Sequence, residues 1–449
     1  MFRLADDKEL TLDLLGEFLI KHNKEVTDRY KILKEAYETD YPIFKQKKKP
    51  EFKPDNRIAA NFAKYIVDNF EGFFMGIPVK VTCDDKEVTK YVELLDQYND
   101  QDDNNAELSK ICSIFGKGYE MYFVDDAGNI CITYLSPMDA FMIYDESIVE
   151  RPRYFVRKYV DTENILHGSV SDGTHVKYFI QKGELKWDED EEEKKHGFDG
   201  VPATEYRQNR EEIGIFEPVM SLINAYNKAI SEKANDVDYF ADAYLKVLGA
   251  KLTEEGMRDI RSNRIINFDG NYDGKLVVEF LDKPEGDTTQ ENLIDRLEKL
   301  IFQISMTANI SDENFGTSTG IALKYKLLAM SNLGKTKERK FTSGMNRRYM
   351  LIASNPISKM KKDDWVKLNY QFTQNFPANL LEESQIAGNL SGVTSKQTQL
   401  KVLSVVDNVQ DEIDRMAEDA DKEGYDTDFP TNRTVIEEDE LLEEQAGTA

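Results

Sequence analysis

Residues 288–349 read TTQENLIDRLEKLIFQISMTANISDENFGTSTGIALKYKLLAMSNLGKTKERKFTSGMNRRY. The stretch predicts two helices joined by a short polar loop. The first covers about 288–308. Thr288 with Glu291 three residues on is the reciprocal capping pair of a first helical turn. Leu293, Leu297, Leu300, Ile301, Ile304 and Ala308 then recur at helical spacing and form one apolar stripe. The loop is 309–319. A second helix starts near Gly320 and runs to about Tyr349, and about 30 residues at ~1.5 Å each span about 45 Å. Its first half, from Ile321 to Leu333, has few polar positions, so it is expected to be buried among neighbours.

Working outward, a helix of similar length is predicted before this stretch. Pro218 sits at its first position, where the missing N–H costs nothing. Val219, Leu222, Ile223, Tyr226, Ile230 and Val237 keep helical period to about Tyr239. Between the two helices lies an insertion, 243–283. It reads as a strand (244–252), a helix (253–260), a strand (264–268), a turn (269–274) and a strand (275–281). About 40 residues bury too little surface to be stable alone, so the insertion is expected to pack against copies of itself.

Toward the N-terminus, 8–38 predicts two polar helices. Lys45-Gln46-Lys47-Lys48-Lys49-Pro50 reads as a mobile basic linker. Residues 56–74 predict an amphipathic helix carrying Ile58, Phe62, Ile66, Phe70 and Phe73, with Gly76 as a left-handed C-cap. A strand (77–82) and helices (86–98 and 106–115) follow. Strands 119–124 and 130–135 flank Asp125-Asp126-Ala127-Gly128-Asn129, a hairpin loop by composition. Further strands are expected at 140–144, 153–160 and 175–181, with an exposed acidic loop at 189–193. Residues 56–214 are thus expected to form one α+β domain. After the central helix come a strand (364–372) and a helical unit (380–387, 395–406 and 411–423). The chain past Thr427 is acidic and is expected to be disordered.

The chain has 449 residues, which suggests about two to four structural units. Its net charge of −26 argues against sequence-independent DNA binding by the whole surface, because such binding rests on Lys and Arg displacing counterions. The charge is uneven. Residues 405–449 hold sixteen Asp/Glu against three Lys/Arg, whereas 320–367 hold twelve Lys/Arg against three Asp/Glu. Cys83, Cys112 and Cys131 are separate and in no ligand spacing, as expected of free thiols in a reducing compartment. The N-terminus is too charged for a signal peptide, and no run approaches a membrane span. Action in cytoplasm, or in something assembled there, is expected.

Two local patterns mimic chemistry. Ala329-Met330-Ser331-Asn332-Leu333-Gly334-Lys335-Thr336 matches the loosest form of a phosphate loop, but it lacks the preceding strand and the Gly-rich backbone. Gly316-Thr317-Ser318-Thr319-Gly320 matches a nucleophile elbow, yet His22, His167, His175 and His196 all precede Ser318. No metal, cofactor or catalytic residue is expected.

Several stretches carry a family resemblance. Pro54-Asp55-Asn56-Arg57-Ile58 leads into Phe74-Met75-Gly76-Ile77-Pro78-Val79. Ser136-Pro137 is followed by Ala140-Phe141-Met142-Ile143-Tyr144-Asp145. Ser311-Asp312-Glu313-Asn314-Phe315-Gly316 precedes Gly320-Ile321-Ala322-Leu323-Lys324-Tyr325-Lys326. In order and spacing, over roughly 56–421, these resemble the portal (head-to-tail connector) proteins of tailed bacteriophages.

The resemblance implies an α+β fold of portal architecture, with a two-helix stem, a small α/β clip, a long tunnel-lining helix and a helical crown. Its parts map to an N-terminal helical arm and basic linker (1–54), wing (55–216), stem helix one (217–242), clip (243–283) and stem helix two (284–308). The tunnel loop (309–319), the long helix with the wing's return strand (320–378), the crown (379–426) and an acidic tail (427–449) follow. It implies a ring, usually of twelve subunits, at one capsid vertex of the virion, assembled in host cytoplasm. The ring would be a channel for packaging and ejecting double-stranded DNA. Expected partners are terminase, head-completion or adaptor proteins, and major capsid and scaffold proteins, with no membrane. Asp312, Glu313, Asn314 and Phe315 would line the narrowest point, with Ser311 and Gly316 beside them in the tunnel loop. Lys324 and Lys326 would touch DNA briefly, or else point to solvent or to a neighbour's carboxylates. The alternative is a non-catalytic helical scaffold or hub with no DNA role.

Overall fold

The computed structural model describes residues 2–50, 53–241, 287–310, 325–375, 380–403, 405–406 and 409–423, together with three short strands between 245 and 280. The fold is mixed α and β. The chain divides into two compact units, Met1–Asn375 and Phe376–Ala449.

The first unit is layered around strand β5, Ala140–Tyr144, in which all five residues are buried. Alternate side chains of a strand point to opposite faces. Phe141 and Ile143 pack with Leu4, Leu15, Phe18 and Leu19, whereas Ala140, Met142 and Tyr144 pack with Tyr119, Phe155, Val201 and Ala203. An uninterrupted apolar run is what burial on both faces requires.

The larger sheet has the order β1-β5-β6-β7-β8-β10, with β9 also on β8. Its strands are β1 (Phe2–Arg3), β5, β6 (Pro152–Val160), β7 (Leu166–Ser171), β8 (His175–Lys182), β9 (Glu184–Trp187) and β10 (Lys194–Lys195). The second sheet has the order β11-β3-β4, from β3 (Lys117–Val124), β4 (Ile130–Leu135) and β11 (Ala203–Arg207). The outer edge of β4 is covered by amides: Asn99 Oδ1 accepts from Ile132 N at 2.8 Å, and Asn99 Nδ2 donates to Ile130 O at 3.1 Å. That blunts a free edge.

Several expectations are corrected. The two polar N-terminal helices are one rod: Leu12–Glu25 and Lys31–Tyr37 are joined by a π-helical turn, Val26–Tyr30. Its first segment, Leu12–Glu25, packs on the large sheet through Leu15, Phe18 and Leu19. The basic linker pairs with its own chain: Lys45 with Glu35 and Asp40, and Lys49 with Glu232. Gly76 does not take a left-handed conformation. Its helix, Phe62–Phe74, ends on Met75 at φ −117°, and a Cβ on Gly76 would lie 2.1 Å from the Gly72 carbonyl oxygen. Close approach, not turn geometry, requires that glycine. The strand expected at 364–372 is a 3-10 turn, Asp364–Lys367, followed by β15, Asn369–Gln371, which pairs antiparallel with β2, Lys80–Thr82.

The two similar helices are Met220–Ala241 and Asp287–Ser305, and they pack together. Between them β12 (Leu245–Leu248) pairs parallel with β13 (Ile265–Phe268) and antiparallel with β14 (Val277–Phe280). The helix expected at 253–260, the turn at 269–274 and the acidic end past 427 lie outside the described residues. The second unit holds helices Leu380–Asn389, Lys396–Leu400 and Val409–Glu423, with Ser395 Oγ capping the middle one at Thr398 N. The middle helix is shorter than the expected 395–406.

Candidate functional site: the flanks of the polar loop

Ser311, Asp312, Glu313, Asn314, Phe315, Gly316 and Lys324 lie outside the described residues. Lys326 lies with Tyr325 in a short helical stretch just before the central helix, Leu328–Ser354, and is exposed. What the structure gives is the way both ends of the loop are fastened.

On the entry side, the helix Asp287–Ser305 stops at Met306, which takes φ +58°. Asn69 Nδ2 then donates to Ala308 O at 2.9 Å, and Ile310 N donates to Tyr65 Oη at 3.1 Å. On the exit side, Leu327 and Met330 are buried and Ser331 Oγ donates to Gln374 Oε1 at 3.1 Å. Two turns further, Lys337 Nζ donates to Glu71 Oε1 at 2.6 Å. Tyr65, Asn69 and Glu71 all belong to the helix Phe62–Phe74, so one element holds both ends of the loop. The burial expected all round the start of the central helix is not found: Tyr325 is 74% exposed and Leu328 52%.

The central helix carries two cations with no exposure, Lys337 and Arg348. Beyond Glu71, Lys337 Nζ donates to Ser109 O at 2.9 Å and Ser113 Oγ at 2.8 Å, and lies 5.2 Å over the Phe70 ring. Arg348 forks onto Glu120, with Nε to Oε2 at 2.8 Å and Nη2 to Oε1 at 2.7 Å, and also reaches Asn105 Oδ1 at 2.7 Å. Tyr122 and Tyr206 hydroxyls complete the Glu120 carboxylate at 2.7 and 3.1 Å. Burial alone would lower the Arg348 pKa, but Glu120 outweighs it and holds the guanidinium well above its ordinary value. Such pairs are costly to bury and costlier to break. They fix the rotation and the height of the helix. Gly344 lets this helix approach β11, since a Cβ there would lie 2.4 Å from the Tyr206 ring.

A second fastening holds the first helix of the pair. Asn56 N donates to Asn235 Oδ1 at 2.6 Å, Ile58 N to Ser231 Oγ at 2.9 Å and Ala60 N to Asn227 Oδ1 at 2.8 Å. Alternate residues of an extended chain advance about 6.6 Å and every fourth residue of a helix about 6.0 Å, so the two repeats stay in step. At its base, Glu217 receives both Arg29 Nε at 2.7 Å and Arg29 Nη2 at 2.8 Å, from the π-helical turn.

Among the described residues no cluster of His, Cys, Asp or Glu could hold a metal, and no helix is long and apolar enough to cross a membrane. The phosphate-loop lookalike 329–336 lies wholly within helix. The buried ion pairs here place a helix. The chain belongs to the phage portal protein family of the SPP1 Gp6-like type, whose family model matches residues 17–425. It is 21% identical over 385 residues to the portal protein of Clostridium phage phiCD119, covering 80% of this chain and 83% of that one. It is 23% identical over 393 residues to the portal protein of Bacillus phage SPP1, covering 82% and 76%.

Proposed function

We propose that this chain is the subunit of a portal ring at one capsid vertex, which conducts double-stranded DNA during packaging and ejection and docks terminase and then head-completion proteins. The observation that carries the reading is the family match over 17–425. The exposed apolar side chains of the helix pair support it. Leu293 is 53% and Ile304 48% exposed. They are eleven residues apart, about three helical turns, and so share one face. A neighbouring subunit would cover that face. The net charge of −26 suits a conduit that duplex DNA passes without sticking.

In this reading 309–319 is the tunnel loop. Asp312, Glu313, Asn314 and Phe315 line the narrowest point, with Lys324 and Lys326 at its mouth. Native mass spectrometry with negative-stain imaging tests the assembly. A large ring with a central hole is expected, whereas a stable dimer or tetramer without a hole would favour the helical hub. Replacing Glu313 and Phe315 together is expected to leave the ring intact and impair DNA packaging. Loss of the ring itself would sink the tunnel-loop assignment.

A further inference from the structure

A cleft of about 400 Å³ opens between the β5–β6 loop, β11 and the central helix. Its charged lining residues are Glu150, Arg151, Glu205, Arg207, Lys340 and Arg347. Both carboxylates are already taken: Glu150 by Arg3, and Glu205 by Arg207 at 2.5 Å. Among the described residues, Arg151 and Lys340 form no ion pair. Arg347 donates only to the backbone carbonyls of Ala203 and Val201, each at 3.3 Å. Burial pushes the Arg347 pKa below its ordinary value. Lys340 and Arg347 stand seven residues apart on one face of the helix, and Arg151 faces them across the cleft. Four cations line the cleft against two carboxylates, and both carboxylates are already paired, so Arg151, Lys340 and Arg347 are left to meet an anionic group.

The opposite edge of the large sheet carries the complement. Residues 188–193, between β9 and β10, are Asp188-Glu189-Asp190-Glu191-Glu192-Glu193, and 189–193 are exposed. Glu191 pairs with Lys194 and Glu193 with Lys177. Glu189, Asp190 and Glu192 form no ion pair among the described residues. Strand order places this loop on β8 and β10, four strand spacings from β5, or about 19 Å. A six-residue loop tethered at both ends reaches at most about 10 Å, so it cannot fill the cleft of its own chain.

We infer that the cleft receives the acidic 188–193 loop of a second copy of this chain. Two different, complementary patches on one subunit make a head-to-tail contact, the kind that closes into a ring. The inference rests on the portal reading and adds to it which surfaces meet. The chain's net negative charge disfavours duplex DNA as the occupant.

The test assembles rings from a mixture of isotope-labelled and unlabelled full-length protein and joins touching Lys and carboxylate groups with a zero-length carbodiimide. Mass spectrometry is expected to find Lys340 joined to Glu189, Asp190 or Glu192 in label-mixed pairs. Two charge-reversed proteins supply a second readout: Arg151→Glu with Lys340→Glu, and Glu189→Lys with Asp190→Lys and Glu192→Lys. Each alone is expected to raise the concentration for half-assembly about tenfold or more. An equimolar mixture restores it, because an alternating even-numbered ring pairs every reversed cleft with a reversed loop. Links from Lys340 to the acidic residues 437–444 would overturn the inference. So would DNA protection of Lys340 that loop reversal leaves unchanged, or rings indifferent to both reversals. If wild-type protein forms no ring at all, the portal reading itself falls; if rings form without link or rescue, only this contact falls.

Discussion

Arg348 in the sheet region and Ser231 in the helix pair both sit on long helices and both fasten a distant piece of chain, but by different means. Arg348 is wholly buried and holds Glu120 with a fork of two hydrogen bonds. Ser231 holds the backbone of Ile58 through one neutral hydroxyl, which accepts from its N–H at 2.9 Å and shares its own proton between the Asn227 carbonyl at 2.7 Å and the Ile58 carbonyl at 3.0 Å. In the sheet region strand β5 is buried on both faces within one chain, and exposed apolar residues such as Ile148 and Val149 sit in loops. The helix pair leaves Val237, Leu293 and Ile304 half open. The sheet region is tied by directional charge pairs, and the helix pair keeps apolar surface that the proposed ring would cover.

The largest expected effect breaks the first half of that contrast. Arg348→Ala leaves the Glu120 carboxylate buried with no cation, held by the two tyrosine hydroxyls and a long contact from Gln101 Nε2 at 3.5 Å, and should cost about 3–5 kcal/mol. Arg348→Met with Glu120→Leu removes both charges and should cost far less than the single change. Urea unfolding at pH 7 reads both. A single-variant loss below about 1 kcal/mol would mean that the pair does not hold the helix.

Asp96 sharpens the same point through pH. It lies 3.4 Å from the Tyr349 hydroxyl, and burial pushes its carboxyl up to about 6 against the pull of Arg348, with Asp102 and Glu120 adding to the rise. A carboxyl whose folded pKa lies above its unfolded value favours the folded state in its protonated form. That stability is complete below the ordinary 3.8 and is lost as pH rises through about 6. The loss should be on the order of 2 kcal/mol. Asp96→Asn should therefore flatten the stability profile between those values and be the more stable protein at pH 8. A wild-type profile that rises over that interval and matches the variant's would refute it.

In the helix pair the corresponding effect is smaller. Ser231→Ala removes one neutral partner from a half-exposed backbone that water can reach, and should cost about 1 kcal/mol. Hydrogen exchange should locate the loss at the Ile58 amide, with Ala60 still protected by Asn227. Unchanged exchange at Ile58 would show that the ladder does not hold this segment.

Much of this was legible along the chain. The apolar stripe after Thr288 became the helix Asp287–Ser305, with Thr288 inside the first turn rather than at its cap. The turn at Asp125–Asn129 joined β3 to β4, with Asn129 N donating to Asp125 Oδ1 at 2.7 Å. The run at 140–144 became β5. These signals are local. The two-residue β1 is defined only by its partner β5, and β11 only by β3, so neither left a pattern in its own residues. Lys337 and Arg348 left a faint one. Met330, Gly334, Lys337, Phe341, Met345, Arg348 and Ile352 are spaced by threes and fours and all are buried, so two cations stand in an apolar stripe. Their partners Glu71 and Glu120 are more than 200 residues away, and no spacing rule links them.

The smallest expected effect on one chain is the most informative about the pair. Leu293 is 53% exposed and its neighbour Ile294 is 8% exposed. One residue is about 100° of helix, enough to turn a side chain from the partner helix to the open face. Ile294→Ala should cost the isolated subunit about 2–4 kcal/mol, because it opens a cavity between packed helices. Leu293→Ser should change the stability of the isolated subunit by no more than about 0.5 kcal/mol. If a neighbour covers that face, the same change removes an apolar contact worth about 1.5–3 kcal/mol from every interface. Assembly should then weaken by roughly tenfold to a hundredfold per contact. Urea unfolding reads the first quantity and the concentration dependence of ring formation the second. Equal effects of Leu293→Ser on both would mean that the exposed stripe is ordinary surface, and the contrast between a finished sheet region and an unfinished helix pair would fail with it.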